Sequence, residues 1–153
     1  MRNVRKATAD DTVCIAEIII FNYRLNFYPI FRSDEYYFGE LRTDLYAQEL
    51  RADAERLSQT YVYDDGAVKG FAELSGSVVE RLFVEPVLQG GGIGAELLEY
   101  AVRECRARTL WVLEKNERAA RFYGRNGFAF TGDKKYEEDT EEYLLEMRLE
   151  KEV

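Results

Sequence analysis

Four glycines lie within five residues at positions 90–94, between an apolar stretch and a segment with helical periodicity. They belong to the sequence ERLFVEPVLQGGGIGA, which runs from Glu80 to Ala95. Glycine lets the backbone approach a ligand closely, and the free N–H groups of a helix N-terminus, aided by the helix dipole, form an anion site. The segment therefore predicts a strand, a turn and a helix start that hold a pyrophosphate. The alternative is a flexible loop with a helix cap.

The glycine spacing does not by itself name the nucleotide. Gly90, Gly92 and Ala95 also satisfy the GxGxxA form of the dinucleotide fingerprint, and Glu114 follows about twenty residues later. That fingerprint should open a βαβ unit, whereas here three predicted antiparallel strands precede the glycines and the residues PVLQ intervene. A P-loop is excluded because no Gly-Lys-Ser or Gly-Lys-Thr follows.

The hydrophobic periodicity along the chain predicts alternating strands and helices. Strands are expected at Val4–Ala7, Tyr61–Tyr63, Val68–Leu74, Val78–Val84, Leu110–Leu113, Phe128–Thr131 and Tyr143–Leu149. Helices are expected from Thr8 or Asp10 to Pro29, from Ser33 or Asp34 to about Leu57, at Gly94–Arg106 and at Glu117–Arg125. This order predicts an α/β fold of mixed, α+β-like type over residues 1–153, as a single domain with one mixed sheet covered by helices.

Composition excludes several classes of function. The chain has no histidine and two cysteines, Cys14 and Cys105, without a CxxC spacing, so neither a zinc site nor a histidine-based triad is expected. Both cysteines fall on apolar helical faces and are expected to be reduced core thiols. A net charge of −8 disfavours a nucleic-acid partner. The longest apolar run is too short to span a bilayer, no secretory signal is evident, and a cytoplasmic location is expected.

Two motifs resemble signatures of the GNAT superfamily of acyl-CoA-dependent N-acetyltransferases. Gln89-x-x-Gly92-x-Gly94 resembles its (Arg or Gln)-x-x-Gly-x-(Gly or Ala) acyl-CoA signature. A second signature, N-x-x-A-x-x-F-Y-x-x-x-G-F, is matched by Asn116, Ala119, Phe122, Tyr123, Gly127 and Phe128. The resemblance covers the chain from about Thr60 to its end, and it implies acetyl-CoA as co-substrate, a primary amine as acceptor and a monomer or homodimer.

The resemblance also implies a sheet of about six to seven strands, mostly antiparallel and flanked by about four helices, that splays between strands 78–84 and 110–113. Pantetheine would pair with the backbone of Leu82, Phe83 and Val84. The pyrophosphate would be held by Gln89, Gly90, Gly91, Gly92, Ile93, Gly94 and Ala95. Asn116, Ala119, Phe122 and Tyr123 would lie beside the coenzyme sulfur, and the N–H of Val84 would polarise the thioester carbonyl.

Tyr123 is the expected general acid, because a phenol with a pKa of about 10 can protonate a thiolate leaving group with a pKa of about 8.5. The alternative is that Tyr123 is a packed aromatic residue. Glu80 is the first candidate for the general base, since the period of two places it on the strand face of Leu82 and Val84, and Glu73 is the second. A solvated role is open for both carboxylates. With no cysteine at a catalytic position, direct attack in a ternary complex is expected.

The acceptor should contact the first two helical regions and the loop between them. Seven aromatic residues gather there, with three acids nearby: Tyr23, Phe27, Tyr28, Phe31, Tyr36, Tyr37 and Phe38, then Asp34, Glu35 and Glu40. Most are expected to pack in the core or loop, and some would favour a substrate with an apolar part. An α-amino group, which deprotonates more easily than a lysine side chain, is slightly favoured. The alternative function is a non-catalytic acyl-CoA sensor.

Overall fold

The computed structural model describes residues 3–138 and 140–150 of the chain, and within them seven strands form one sheet. The strands are β1 (Val4–Lys6), β2 (Thr60–Asp64), β3 (Val68–Ser75), β4 (Val78–Val84), β5 (Thr109–Leu113), β6 (Phe128–Tyr136) and β7 (Tyr143–Leu149). Their order across the sheet is β1-β2-β3-β4-β5-β7-β6. The pairing of β4 with β5 is parallel and the other pairs are antiparallel. This mixed, mostly antiparallel sheet confirms the expected fold class. Strands β4 and β5 with the helix Ile93–Cys105 between them form one parallel βαβ unit, but their other sheet neighbours are antiparallel, unlike the parallel sheet of a dinucleotide-binding domain.

Six α-helices accompany the sheet in the described residues: α1 (Thr12–Asn26), α2 (Tyr28–Phe31), α3 (Thr43–Ala52), α4 (Ala54–Ser58), α5 (Ile93–Cys105) and α6 (Glu117–Arg125). Short 3₁₀ turns lie at Ala9–Asp11 and Pro86–Leu88, and a π-helical turn lies at Glu35–Glu40. The Asp11 carboxylate accepts the backbone N–H of Thr8 at 2.8 Å, which satisfies an otherwise free donor at the start of the first helical region. No helix in the described part of the chain is long and apolar enough to cross a membrane.

The apolar residues of the sheet divide between its two faces, as the period of two requires. Ala72, Val79 and Val84 pack with α5 on one face. On the other face, Val62 and Phe71 pack with α1 and α3 residues, among them Ile15, Ile18, Ile19 and Leu50. Because both faces of the sheet are packed against helices, the orientation of β4 is fixed, and β4 is the strand that lines the candidate site.

The structure corrects the predicted elements in several places. Pro29 does not end the first helix, since α1 ends at Asn26 and Pro29 lies in the first turn of α2. The single helix expected at 33–57 is broken, because Leu41 and Arg42 are extended and the Asp53 side chain caps a new helix by accepting the N–H of Arg56. Strand β6 continues to Tyr136 instead of ending at Thr131. Cys14 is exposed rather than in the core, while Cys105 is half-buried.

Candidate active site

The sheet opens where β4 and β5 diverge. Among the described residues, these strands pair only at Val78 with Thr109 and at Val79 with Leu110, and no other described strand pairs with the remainder of β4 on that side. A cavity of about 750 Å³ lies in the opening, lined by β4, β5, the glycine loop and α6. The splay expected from the family resemblance is therefore present, and its unpaired backbone groups are available to a ligand.

The hydrogen-bond pattern shows which backbone groups of β4 face the cavity. The N–H of Glu85 donates to the carbonyl of Lys69 at 2.8 Å, which directs the Glu85 peptide groups toward β3. Because such groups alternate along a strand, those of Val84 and Leu82 point away from β3 into the opening. This is the direction required of Val84 as a donor to a thioester carbonyl.

The glycine loop forms the N-terminal end of α5. Gly90 and Gly92 have φ values of 89° and 92°, a left-handed conformation that glycine adopts without steric cost. Gly92 caps α5 and offers no side chain to its free N–H groups, which belong to Ile93 and the next residues. With the helix dipole, these donors have the arrangement that binds anions at the N-termini of helices.

The side chain of Gln89 anchors this loop to the protein interior. Its amide Nε2 donates to Asn22 Oδ1 at 2.9 Å and to the carbonyl of Val84 at 3.2 Å. Asn22 is buried in α1, and its Nδ2 donates to the carbonyls of Ile18 and Val84 at 2.8 and 3.0 Å. One amide pair thus fixes the relative positions of α1, the end of β4 and the glycine loop.

Gly94 allows α5 and α6 to approach each other across the opening. A Cβ atom at Gly94 would lie 3.3 Å from Phe122 Cζ and 3.6 Å from Val84 Cγ2. Phe122 itself lines the cavity. Because Gly94 has no side chain, α6 can lie close to α5, and this approach sets the width of the cavity at that point.

Helix α6 presents its residues to the cavity from the far side. Asn116 caps the helix by accepting the N–H of Ala119 at 3.3 Å, and both residues line the cavity with Phe122 and Tyr123. The Tyr123 ring packs edge-on against Phe122 and Phe128. Burial raises the pKa of the Tyr123 hydroxyl well above its usual value near 10. The group therefore stays protonated at physiological pH, but in this structure it is a weaker acid than the ordinary phenol on which the predicted role was based.

The two carboxylates considered as bases occupy different environments. Glu73 is 5% exposed, and its two oxygens accept from Arg56 Nε at 2.8 Å and from Arg81 Nη1 at 2.6 Å. Both of its oxygens are thus occupied by guanidinium groups, and it is not among the described residues that line the cavity. Glu80 is exposed and lines the cavity.

Glu80 does not lie on the strand face predicted for it. Glu73 pairs with Arg81 and Leu74 with Val79, so Glu80 is the extra residue of a β-bulge. The bulge shifts the alternation. Val79 and Leu82 pack on the same core cluster, whereas Glu80 lines a depression with Arg81 and Glu73 on the opposite face. The prediction that Glu80 shares a face with Leu82 and Val84 is therefore wrong.

Nearly all residues expected at the coenzyme site line the same cavity. They are Leu82, Phe83, Val84, Gln89, Gly90, Gly92, Ile93, Gly94, Ala95, Asn116, Ala119, Phe122 and Tyr123. Gly91 is the exception and is exposed outside the lining. The cavity is also lined by residues that sequence reasoning missed, among them Asn22, Arg118 and Arg125. The two arginines are seven residues apart, a spacing that places them on one helix face.

The aromatic residues of the first helical regions fall into two groups, one that lines the cavity and one that packs in the core. Tyr23 and Phe27 line the cavity, where their rings pack edge-on against Phe83. Tyr37 is instead buried in a third cluster with Ile20, which confirms that part of the set is core.

Comparison with known proteins agrees with this geometry. Residues 35–151 match the family model described as an acetyltransferase (GNAT) domain. The chain belongs to the GNAT family. A relative named peptidyl-lysine N-acetyltransferase YjaB, from Escherichia coli, is 41% identical over 63 residues, which span 41% of this chain and 43% of that protein. The matched segment is thus less than half the length of that curated relative.

Solved structures of GNAT proteins share the whole architecture. The solution structure of apo YjaB from Escherichia coli superposes with a TM-score of 0.75 at 27% identity, over 95% of each chain. The PaiA N-acetyltransferase from Thermoplasma acidophilum, solved in complex with coenzyme A, gives a TM-score of 0.71 at 20% identity, over 94% of this chain and 96% of that chain. At the latter identity the likeness concerns the fold alone.

Proposed function

We propose that this protein transfers the acetyl group of acetyl-CoA to a primary amine by direct attack in a ternary complex. The observation that carries the proposal is the convergence of three features on one cavity: the open backbone edge of β4, the free N–H groups of α5 and the protonated Tyr123. Each supplies one requirement of the reaction, namely binding of the coenzyme arm, binding of its pyrophosphate, and a proton for the leaving group.

The coenzyme would lie along β4. Its pantetheine amides would pair with the peptide groups of Leu82, as an added strand does. The Val84 carbonyl is already held by Asn22 and Gln89, which leaves the Val84 N–H for the thioester. The pyrophosphate would bind the N–H groups that follow Gly92, and the guanidinium groups of Arg118 and Arg125 would add positive charge at the cavity wall.

The chemical step forms one bond and breaks one. The neutral amine nitrogen attacks the thioester carbonyl carbon, and the oxyanion that develops accepts the N–H of Val84. The carbon–sulfur bond then breaks, Tyr123 donates its proton to the departing thiolate, and the amine nitrogen loses its proton to Glu80 or to water bound there. The products are CoA thiol and an N-acetyl amine.

Two kinds of primary amine are candidates for the acceptor. The curated relative in Escherichia coli is named for peptidyl-lysine, so an ε-amino group of a peptide is one candidate acceptor for this chain. A free amino acid or a peptide N-terminus is another, since an α-amino group deprotonates more easily near neutral pH.

The test is release of free thiol from acetyl-CoA across a panel of amines, each measured with and without the protein. We expect thiol release that depends on a particular amine and saturates with its concentration. Binding of acetyl-CoA with no thiol release for any amine would instead support the alternative function, a non-catalytic acyl-CoA sensor.

A further inference from the structure

The β-bulge in β4 places an acidic and a basic residue next to each other at the cavity, near the end of β4 that is farther from the glycine loop. Glu80 is the inserted residue and Arg81 follows it. In a bulge of this kind the two residues opposite a single partner project toward the same side of the sheet. Accordingly, both Glu80 and Arg81 line the cavity, and both also line a depression beside α4.

Arg81 keeps part of its guanidinium group free for a ligand. Its Nε donates to the Tyr23 hydroxyl at 3.0 Å and its Nη1 donates to Glu73 Oε2 at 2.6 Å. Across residues 3–138 and 140–150, no hydrogen bond is formed by Nη2. The side chain is 32% exposed, while that of Glu73 is 7% exposed. The contacts with Tyr23 and Glu73 hold the guanidinium plane in place and leave one donor edge accessible.

Arg81 shares its buried partner with a second cation. Glu73 also accepts from Arg56 Nε at 2.8 Å, so two guanidinium groups share one buried carboxylate, and Glu80 is a second, exposed acid that lines the same depression. Burial disfavours the charged form of Arg81, but Tyr23, Tyr46 and Glu73 outweigh this effect and raise its pKa. A fixed, permanently charged and partly desolvated guanidinium attracts an anion more strongly than an exposed one does.

The other charged groups of the cavity complete a pattern suited to a zwitterion. Lys135, which lies 4.3 Å over the Trp111 ring, adds a cation on the opposite wall. Glu80 and Glu137 are the acidic residues that line the same cavity within the described part of the chain. A ligand with both an ammonium and a carboxylate group would therefore find an oppositely charged side chain for each.

We propose that the acceptor is a small primary amine that carries a carboxylate, of the amino-acid type, and that Arg81 binds the carboxylate while Glu80 lies beside the amine. This inference rests on the proposed acetyltransferase function. A lysine within a peptide fits less well, because its ε-amino group has no carboxylate nearby. The size of the cavity also favours a small acceptor, since the coenzyme arm and the acceptor must share a volume of about 750 Å³.

The first test uses the wild-type protein and compares kcat/KM for an amino acid with kcat/KM for the carboxamide of the same amino acid, each as the acceptor substrate. The pair differs in one charge, and the carboxamide has the less basic amine, so a preference for the carboxylate cannot arise from easier deprotonation. We expect kcat/KM to be about 10- to 100-fold higher for the carboxylate, as for a charge-assisted hydrogen bond of about 1.5–3 kcal/mol.

The second test uses matched variants of the two arginines that share Glu73. Arg81→Gln should abolish the preference for carboxylate over carboxamide, and Arg81→Lys should restore part of it. Arg56→Gln disturbs the same buried Glu73 but leaves the Arg81 guanidinium, so it should retain the preference. The KM for acetyl-CoA should stay near the wild-type value in all three variants. If Arg81→Gln does not fold, the wild-type comparison decides.

Two outcomes would overturn the inference while leaving the proposed function intact. One is equal kcat/KM for carboxylates and carboxamides. The other is faster acetylation of an internal lysine in a peptide than of any free amino acid. Failure to acetylate any amine would contradict the proposed function itself, and the inference would fall with it.

Discussion

The side-chain amide of Gln89 donates to the buried Oδ1 of Asn22 at 2.9 Å, a contact that joins the glycine loop to α1. The two residues are far apart in sequence, and both also donate to the carbonyl of Val84. The geometry of the glycine loop thus depends on Asn22, a polar residue of α1 that lies outside the motif of the loop.

A double-mutant cycle on Asn22 and Gln89 tests this dependence. Asn22→Ala should lower the free energy of unfolding by about 1–3 kcal/mol, because it leaves buried polar groups without partners. Gln89→Ala should cost less, since Gln89 is less buried. Denaturant unfolding of the double variant should show a coupling energy of about 0.5–3 kcal/mol, and additive effects would contradict a shared anchor.

Gly94→Ala should weaken coenzyme binding more than it weakens the fold. The new methyl group would lie 3.3 Å from Phe122 Cζ, so a residue of the cavity wall must move by a few tenths of an ångström. We expect a higher Kd for acetyl-CoA in calorimetric titration, with a change in unfolding free energy below about 1–3 kcal/mol.

Gly91→Ala is the matched control for that variant. Gly91 does not line the cavity, its φ is not in the left-handed region, and the nearest atom to an added Cβ would be the Leu88 carbonyl oxygen at 3.5 Å. Its Kd for acetyl-CoA should match that of the wild type. Equal weakening of binding in both variants would show that the width of the cavity at Gly94 is unimportant.

Tyr123→Phe should remove the proton donor and leave the packing of the ring. We expect kcat to fall about 100-fold or more, which is the lower range for loss of a general acid, with little change in the KM for acetyl-CoA. Because burial raises the pKa of Tyr123 above that of an ordinary phenol, the wild-type rate should show no alkaline loss below about pH 10. A Phe variant with normal kcat would assign Tyr123 a packing role.

Acid stability should depend on Asp11. Arg5 donates two hydrogen bonds to its carboxylate, at 2.8 and 2.9 Å, and this contact lowers the pKa of Asp11 below its ordinary 3.8 although burial opposes the shift. The stabilisation is present above pH 3.8 and is lost as the pH falls through the lowered native pKa.

Asp11→Asn should therefore cost about 1–3 kcal/mol in urea unfolding at pH 7, and the difference from wild type should shrink as the pH falls below about 4. The exposed neighbour provides the control, since Asp10→Asn should change stability by no more than about 0.5 kcal/mol at either pH. A constant difference between Asp11→Asn and wild type from pH 7 to pH 3 would contradict the assigned linkage.

Local patterns predicted the elements that have strong periodicity. Strands Val78–Val84 and Tyr143–Leu149 and helix Glu117–Arg125 begin and end at the predicted residues. The Asn116 cap and the glycines supply their own boundary signals, so these segments needed little information from the rest of the chain.

Features that depend on contacts distant in sequence were missed. The bulge at Glu80 arises from the pairing of β4 with β3, and one inserted residue reversed the predicted face. The extension of β6 beyond Thr131 carries Lys134 and Lys135, whose side chains lie over the rings of Tyr143 and Trp111, contacts that join residues distant in sequence. Asn22 belongs to no motif of its own, and its role follows only from its contacts with Gln89 and the Val84 carbonyl.

The central claim is direct acetyl transfer from coenzyme to amine, and a single turnover with isotopically labelled acetyl-CoA tests it most directly. The protein is mixed with the labelled coenzyme and a carboxylate-bearing amine, and the label is then located by mass spectrometry. We predict that it appears on the amine nitrogen in step with thiol release and never on the protein. Label on Cys14 or Cys105, or coenzyme that stays bound and intact, would contradict the account.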